Sequence, residues 1–358
     1  MSIFAGILSK DWKTLKSTNQ FGFKYIPIKW YYNFKSRSND RYHQIEQEKY
    51  GDRIDSTEIP LDPIFILGHW RSGTTMLHNT ICQDEQFAFP NLLEAYNPHT
   101  FLYLEDRIHH KLQTMEDKKR PMDNVQVNYD SPAEDEFALA LLSLCSPLLG
   151  WTFPRQRDYY DRYLFLDNIS DDELKRWYWG VEHFVKKLTF KYGKRLVLKS
   201  PQHTARIKHI LKLFPNAKFI HFRRNPYKVF QSTMGLHEKT IKAMALQPNG
   251  VLDVETYVIN TYRDMYSRMF NEQSLIPKQN YCELNFENFV TDPVQGLQAI
   301  YQSLEFELSE EFLIKIKNKQ SAEKKYARNT YPPLAEETKQ RINREWEEFF
   351  YTWNYRFQ

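Results

Sequence analysis

The stretch Pro63-Ile-Phe-Ile-Leu-Gly-His-Trp-Arg-Ser-Gly-Thr-Thr-Met-Leu-His78 decides the fold of this chain. The apolar run from Ile64 to Leu67 is long enough for one buried parallel strand, and Gly68 opens a turn after it. From Thr75 onward apolar residues recur at helical spacing, so a helix follows the turn. This arrangement directs backbone N–H groups and the helix dipole at an anion. The alternative is a strand-to-helix turn that binds nothing.

The loop shares its spacing with a Walker phosphate loop but not its chemistry. Gly68-x4-Gly73 keeps the spacing, whereas Thr74 stands where the Walker lysine would be. The positive charge comes instead from Arg71 inside the loop, and no apolar strand ending in Asp is evident to hold Mg²⁺. A donor with less charge than a magnesium–nucleoside triphosphate is therefore favoured, and we predict no metal.

The composition restricts the class of protein. A chain of 358 residues is long enough for one large α/β domain or two small ones, and a formal net charge of +4 is too small to argue for nucleic acid. The widely spaced Cys82, Cys145 and Cys282 favour a reducing compartment over a disulfide framework or structural zinc. No signal peptide or membrane-spanning segment of roughly 18–20 apolar residues is recognised, so we expect a cytoplasmic location.

Residues 1–58 are predicted to form a basic and aromatic N-terminal arm, irregular or partly helical. Lysines and arginines outnumber acidic residues there and are interleaved with aromatic side chains. One interpretation is peripheral membrane contact, because basic and aromatic residues suit a membrane interface. The other is that the rings pack on the rest of the protein while the lysines remain in water.

Alternating strands and helices predict a parallel sheet. Arg195 to Lys199 forms a strand, a helix follows, Ala217 to Phe222 forms the next strand, and Tyr227 to Leu236 the next helix. Ligands of such sheets bind at the carboxyl ends of the strands, where Arg71, Lys199 and Arg224 would all lie.

Three further helices are predicted from capping and periodicity. Ser131-Pro132 should begin one, and the box Ser170-Asp-Asp-Glu173 should begin another that runs to about 191. Leu334 to Trp353 should form a terminal helix, with its apolar face made by Ile342, Trp346, Phe349, Phe350 and Trp353.

The loop sequence Gly-x-x-Arg-Ser-Gly-Thr-Thr resembles the 5′-phosphosulfate loop of sulfotransferases that use 3′-phosphoadenosine 5′-phosphosulfate (PAPS). It is most similar to the tyrosylprotein-type and bacterial branches, with Trp70 in place of their proline. The resemblance is good over 63–99 and 195–236 and weak over 281–350. It implies an α/β fold with a P-loop-like central parallel sheet flanked by helices, in a single sulfotransferase domain over 59–358.

The resemblance also implies roles for particular residues. A lysine in the context Lys199-Ser200-Pro201 contacts the transferring group in such enzymes, as would Arg71. Arg224 and Ser232 have the spacing used for the 3′-phosphate, and Phe286 matches a position near the adenine. Lys324 to Asn329 could close over the nucleotide or end a solvated helix. The cofactor-binding set is Arg71, Ser72, Gly73, Thr74, Thr75, Arg224, Ser232 and Phe286.

The catalytic base and the acceptor are less defined by the sequence. Glu94 matches a glutamate about twenty residues after the loop arginine in the resembled branch, and His99, Glu134, Asp135, Glu136 and His203 compete with it. The acceptor hydroxyl could belong to a small molecule, glycan, lipid or peptide. Two alternatives stay open, namely a P-loop nucleotide kinase and a non-catalytic, membrane-associated nucleotide-binding protein.

Overall fold

The computed structural model describes residues 3–113, 118–119, 126–248, 252–322 and 332–358. A five-stranded parallel sheet in the order β2-β5-β1-β6-β7, flanked by helices, confirms the predicted α/β class. A separate antiparallel pair consists of β3 and β4. The strands are β1 (Ile64–Leu67), β2 (Phe87–Ala88), β3 (Lys118–Lys119), β4 (Gln126–Val127), β5 (Arg195–Lys199), β6 (Lys218–Arg223) and β7 (Tyr281–Asn285).

Helices make up most of the remaining described structure. None of those described is long and apolar enough to cross a bilayer. They are α1 (Ser9–Thr18), α2 (Ile26–Asp55), α3 (Thr74–Ile81), α4 (Leu92–Tyr96), α5 (Phe101–Gln113), α6 (Glu136–Leu142), α7 (Leu148–Thr152), α8 (Arg157–Asp161), α9 (Asp171–Tyr192), α10 (Ile207–Leu213), α11 (Pro226–Met244), α12 (Val254–Gln273), α13 (Phe286–Thr291), α14 (Pro293–Ser303), α15 (Glu310–Ala322), α16 (Glu336–Glu345) and α17 (Glu347–Thr352), with short 3-10 turns at Phe23–Tyr25, Pro154–Gln156, Arg162–Leu164, Pro201–Ala205 and Lys278–Asn280.

The chain groups into two compact units. The first unit contains Met1–Leu61, Ala88–Leu198 and Lys239–Val251. The second unit contains Asp62–Phe87, Lys199–Glu238 and Leu252–Gln358. The described residues from 3 to 61 therefore pack within the first unit, and the proposed domain boundary after residue 58 stays a prediction.

In the second unit, the register of the parallel strands places the predicted anion-binding segments side by side. Leu67 of β1 pairs with His221 of β6, so both strands end at the same edge of the sheet. The loop that follows β1 and the arginines that end β6 are consequently neighbours. The residues of β1 are fully buried, as expected for a parallel strand covered on both faces.

The C-terminal segment of the second unit forms two helices, α16 and α17, rather than the single predicted helix. The break lies at Trp346, whose backbone leaves the helical region with φ −118° and ψ 17°. The predicted apolar face is nevertheless correct, because all five of its side chains are buried. The ring of Trp346 stacks on Tyr262 with centroids 3.8 Å apart.

In the first unit, the capping box at the start of α9 is confirmed, whereas the predicted start of α6 is wrong. Ser170 and Glu173 cap each other's backbone N–H groups as expected. Helix α6 begins at Glu136 instead of Ser131, because Pro132 forms a β-bridge with Asn91 and the chain there is extended.

The N-terminal segment is far more helical than predicted, since α2 runs for 30 residues. Its buried positions include Ser36, Asn39 and Glu46, so hydrophobic periodicity does not mark the face that packs. Trp12 and Tyr32 join the core, which agrees with the interpretation in which rings pack inward. Other rings of the same segment remain exposed.

Candidate active site

The loop after β1 has a backbone that glycine permits at two positions. Gly68 has φ +147° and Gly73, at the N-cap of α3, has φ +98°. A Cβ at Gly73 would lie 2.3 Å from Cδ2 of Phe286, closer than any side chain could approach. Arg71 also adopts a positive φ, +70°, which is uncommon for a residue with a side chain and marks local strain.

The start of α3 presents a group of hydrogen-bond donors. Among the described residues, the backbone N–H groups of Gly73, Thr74 and Thr75 have no acceptor, as expected for a first helical turn. The Ser72 hydroxyl is fully buried and likewise has no partner in the described part of the chain. Buried polar groups of this kind normally have partners, so this cradle fits a phosphate or sulfate.

The residues predicted to bind the two ends of the donor lie against each other. Nε of Arg71 donates to Oγ of Ser232 at 2.8 Å, and Nη1 of Arg224 donates to the carbonyl of Arg71 at 3.0 Å. The Arg224 guanidinium also lies over the Phe286 ring, 4.2 Å from its centroid. The structure thus brings Arg71, Arg224, Ser232 and Phe286 together.

Lys199 completes the cluster of cations at the strand ends. It is the last residue of β5, and its side chain is nearly buried. Its Nζ lies 3.4 Å from Oγ1 of Thr75, within the first turn of α3. The ammonium group therefore lies beside the donors that the loop presents.

Three residues that the sequence analysis missed hold the loop in place. Oγ1 of Thr204 accepts from the Gly68 N–H at 2.8 Å, and the Tyr266 hydroxyl accepts from the His69 N–H at 3.0 Å. Thr233 contributes less, because its hydroxyl donates to the Val229 carbonyl at 2.7 Å and only approaches the Trp70 carbonyl at 3.4 Å. Thr204 follows Lys199-Ser200-Pro201 closely and could have been noticed, whereas Tyr266 lies on α12 with no local motif.

His69 of the loop is buried and neutral. Burial lowers the pKa of its imidazole to about 4, although a hydrogen bond to the Trp70 carbonyl partly opposes the shift. Its Nδ1 lies 2.9 Å from that carbonyl. The loop therefore contains an imidazole that stays uncharged at neutral pH.

The predicted base, Glu94, lies in the first unit and has partners on both carboxylate oxygens. Oε1 accepts from Lys191 at 2.8 Å and from Tyr192 at 2.7 Å, while Oε2 accepts from the Asn91 N–H at 2.7 Å. Burial raises the pKa of Glu94, and these partners offset only part of that shift. A raised pKa suits a general base, but the same contacts also suit a structural role.

The competing residues are distributed over both units. Glu136 accepts from the Ser146 hydroxyl at 2.7 Å, and Nε2 of His99 lies 3.3 Å from the Leu141 carbonyl. His203, in the second unit, packs edge-on against Phe65. Lys324 to Asn329 lie outside the described residues. Among the residues that are described, no three His, Cys, Asp or Glu side chains form a group that could hold a metal ion.

Comparison with known proteins identifies the family. The sequence profile of the sulfotransferase family matches residues 63–310. The omega-hydroxy-beta-dihydromenaquinone-9 sulfotransferase Stf3, from Mycobacterium bovis and from Mycobacterium tuberculosis, is 31% identical over 357 residues, which cover 99% of this chain and 91% of the relative. The chain belongs to the sulfotransferase family, and it transfers a sulfuryl group to a hydroxyl acceptor.

Solved structures share the fold. Sulfotransferase STF9 from Mycobacterium avium aligns with a TM-score of 0.67 and 19% identity, covering 89% of this chain and 85% of that one. Sulfotransferase STF1 from Mycobacterium tuberculosis aligns with a TM-score of 0.60 and 17% identity, covering 84% and 81% of the respective chains. At these identities the likeness concerns the fold alone.

Proposed function

We propose that this enzyme uses PAPS as its sulfuryl donor and a lipid-type alcohol as its acceptor. The observation that carries the proposal is the cluster in which Arg224 contacts Arg71 while Arg71 contacts Ser232. Two cationic side chains are held at one edge of the sheet, next to the N-terminus of α3. A nucleotide with anionic groups at two positions would be bound by such a pair.

Each part of the donor has a matching group in the second unit. The 5′-phosphosulfate would bind to the N–H groups of Gly73, Thr74 and Thr75 and to the buried Ser72 hydroxyl, where donors lack partners among the described residues. The 3′-phosphate would bind to Arg224 and Ser232, since a guanidinium suits bidentate contact with phosphate. Phe286 would lie beside the adenine, with its ring positioned by Arg224.

The transfer step needs charge neutralisation and a base. The acceptor oxygen attacks sulfur, the bond between sulfur and the 5′-phosphate oxygen breaks, and adenosine 3′,5′-bisphosphate leaves. Arg71 and Lys199 neutralise the equatorial and leaving oxygens, which is the main contribution in the analogous phosphoryl transfer. Glu94 of the first unit remains the residue that the resemblance assigns as base, and its raised pKa suits that role.

The acceptor class is inferred from the relative. Stf3 is named as acting on omega-hydroxy-beta-dihydromenaquinone-9, a hydroxylated lipid quinone. The match covers nearly the whole of both chains. We therefore propose that the hydroxyl of a menaquinone-like lipid is the first acceptor to test.

Calorimetry with adenosine 3′,5′-bisphosphate tests the donor site. The wild-type chain should bind this product, and Arg224→Ala should weaken the affinity about 10–100-fold, because a hydrogen bond to a charged group is lost. Arg344→Ala, which removes an arginine with a 71% exposed side chain elsewhere, is the matched control and should leave the affinity unchanged. Equal affinities of wild type and Arg224→Ala would contradict the assignment of the 3′-phosphate site, and tight binding of Mg²⁺–ATP would favour a kinase.

A further inference from the structure

The N-terminal part of the first unit has a row of exposed aromatic and apolar side chains, which we call the aromatic face. It consists of Phe23, Ile26, Trp30, Tyr31 and Phe34, at spacings of one, three or four residues along α2 and the turn before it. Phe23 is 89%, Trp30 60% and Phe34 63% exposed. A soluble surface rarely collects this many large apolar side chains in one row, so the face needs an explanation.

The aromatic face is exposed because α2 packs through its opposite side. Tyr32, Ser36 and Asn39 are buried, and they occupy the side of the helix away from Trp30 and Phe34. The Asn39 amide donates to the carbonyls of Ala5 and Ile7, each at 2.9 Å, which fixes how the helix is rotated. The exposure thus results from a specific packing arrangement rather than from a loosely attached segment.

The segment around the aromatic face is exclusively cationic. Residues 12–39 contain six lysines and arginines and no aspartate or glutamate. Burial lowers the pKa of Lys16, and the positive charges of Lys29, Arg37 and Lys13 lower it further, so these cations act on one another through space. A surface of this charge attracts polyanions and anionic lipid surfaces.

An arginine-lined cleft continues the aromatic face along α2. Arg37 and Arg41 follow Trp30 and Phe34 at helical spacing and lie on the same side of the helix. With Arg107 of α5, they line a cleft of about 350 Å³. The other lining residues are Ser38, Tyr42 and Tyr103, so none of the described residues that line it is a carboxylate.

Contacts with aromatic rings position one of the three arginines of the cleft, Arg107. The Arg107 guanidinium lies over the Tyr42 ring, 5.0 Å from its centroid, and Tyr42 packs against Tyr103 with centroids 5.4 Å apart. Arginine forks between aromatic walls suit the oxygens of a phosphate group. Within the described residues, neither Arg37 nor Arg41 forms an ion pair with a carboxylate.

We propose that the aromatic face docks this protein on an anionic lipid bilayer, with the arginine cleft holding the phosphate of one lipid headgroup. The aromatic rings enter the interface between headgroups and acyl chains, where rings are favoured, while Lys24, Lys29 and Arg37 remain at the level of the phosphates. This inference goes beyond the sulfotransferase reaction and does not depend on the identity of the donor or acceptor.

Flotation of the full chain with lipid vesicles tests the proposal. Vesicles of equal parts phosphatidylcholine and phosphatidylglycerol should bind the protein, pure phosphatidylcholine should bind it at least about tenfold less, and added salt should release it. Replacing Trp30 and Phe34 together by serine should weaken binding about tenfold or more, because two rings no longer enter the interface. Arg37→Gln with Arg41→Gln should weaken binding to anionic vesicles by about tenfold while changing the weak binding to neutral vesicles little.

Matched controls separate this surface from general charge or hydrophobicity. Lys175→Gln with Arg344→Gln removes the same formal charge from side chains 78% and 71% exposed elsewhere, and Trp179→Ser removes another half-exposed tryptophan. Neither control should alter vesicle binding. All variants should melt within a few degrees of wild type, because the replaced groups are exposed.

Four results would overturn the proposal. They are equal binding to neutral and anionic vesicles, no binding to either, displacement by inorganic phosphate alone, and binding that survives replacement of Trp30 and Phe34. Concentration-dependent dimerisation abolished by the same replacement, without vesicle binding, would instead assign the aromatic face to a second copy of the chain.

Discussion

The loop region and the surroundings of Glu94 both collect charged side chains, but they hold them by different means. Arg71 donates to a neutral hydroxyl and Arg224 to a neutral carbonyl. Glu94 instead forms an ion pair with Lys191 and accepts from Tyr192. A neutral acceptor orients a charged group without cancelling its charge, whereas an opposite charge largely cancels it. The hydrogen bonds at the loop therefore orient its two arginines, whereas the Glu94 carboxylate shares the Lys191 ammonium with Glu105.

Among residues near the loop after β1, replacement of Lys199 should have the largest effect, which is a loss of kcat. Lys199→Ala should lower kcat about 10²–10³-fold, because a cation that stabilises charge in the transition state is removed. The affinity for adenosine 3′,5′-bisphosphate should change much less, since that product lacks the sulfuryl group. Steady-state kinetics with calorimetry checks this, with Lys212→Ala as the exposed control. A kcat near wild type would show that Lys199 only packs beside Thr75.

Replacement of Glu94 shows whether its carboxylate, besides its contacts with Lys191 and Tyr192, also takes part in catalysis. Glu94→Gln should lower kcat at least about 10²-fold if the carboxylate accepts the acceptor proton. Lys191→Gln breaks the same ion pair but leaves the carboxylate, so it should retain much more activity. Rates and melting temperatures of both variants should be measured together. Two variants that lose stability equally while keeping their activity would show that Glu94 is purely structural.

Replacement of Ser232 should have a smaller effect, which is a loss of affinity for adenosine 3′,5′-bisphosphate. Ser232→Ala removes the hydroxyl that accepts from Nε of Arg71, so the affinity for adenosine 3′,5′-bisphosphate should weaken about 5–10-fold. Calorimetry checks this, with Thr240→Ala on the same helix as control. An effect as large as that of Arg224→Ala would mean that the hydroxyl does more than orient the arginine.

Acid should act on the loop through His69 by lowering stability, and this is the change of the four that should affect catalysis and donor binding least. The folded pKa of about 4 lies below the unfolded value of 6.5, so between these values the unfolded chain binds more protons. The free energy of unfolding therefore falls as pH drops through this window. His69→Gln should remove about 3 kcal/mol of that fall, measured by urea unfolding from pH 7 to 4, because a pKa lowered from 6.5 to about 4 is worth that much over this range. An unchanged slope would place the titration elsewhere.

Much of the loop side of the site could be predicted from the sequence, because its residues lie in short segments that follow buried strands. Arg71, Lys199 and Arg224 are each recognised from their immediate neighbours, and parallel pairing brings the strand ends together. Tyr266 could not be predicted, because a single hydroxyl on a long helix carries no local pattern. The fold of the N-terminal segment was also missed, because polar Ser36 and Asn39 occupy the buried side of α2.

The close approach of Phe286 to Gly73 has a consequence for the order in which the protein becomes able to bind its donor. The ring belongs to a segment more than two hundred positions later in the chain than the glycine it touches. During synthesis the strand and loop emerge early, yet the wall beside them is missing until β7 has left the ribosome and paired with β6. A nascent chain shorter than this would present the loop without Phe286 beside it. The chain should therefore bind the nucleotide only after the sheet is complete.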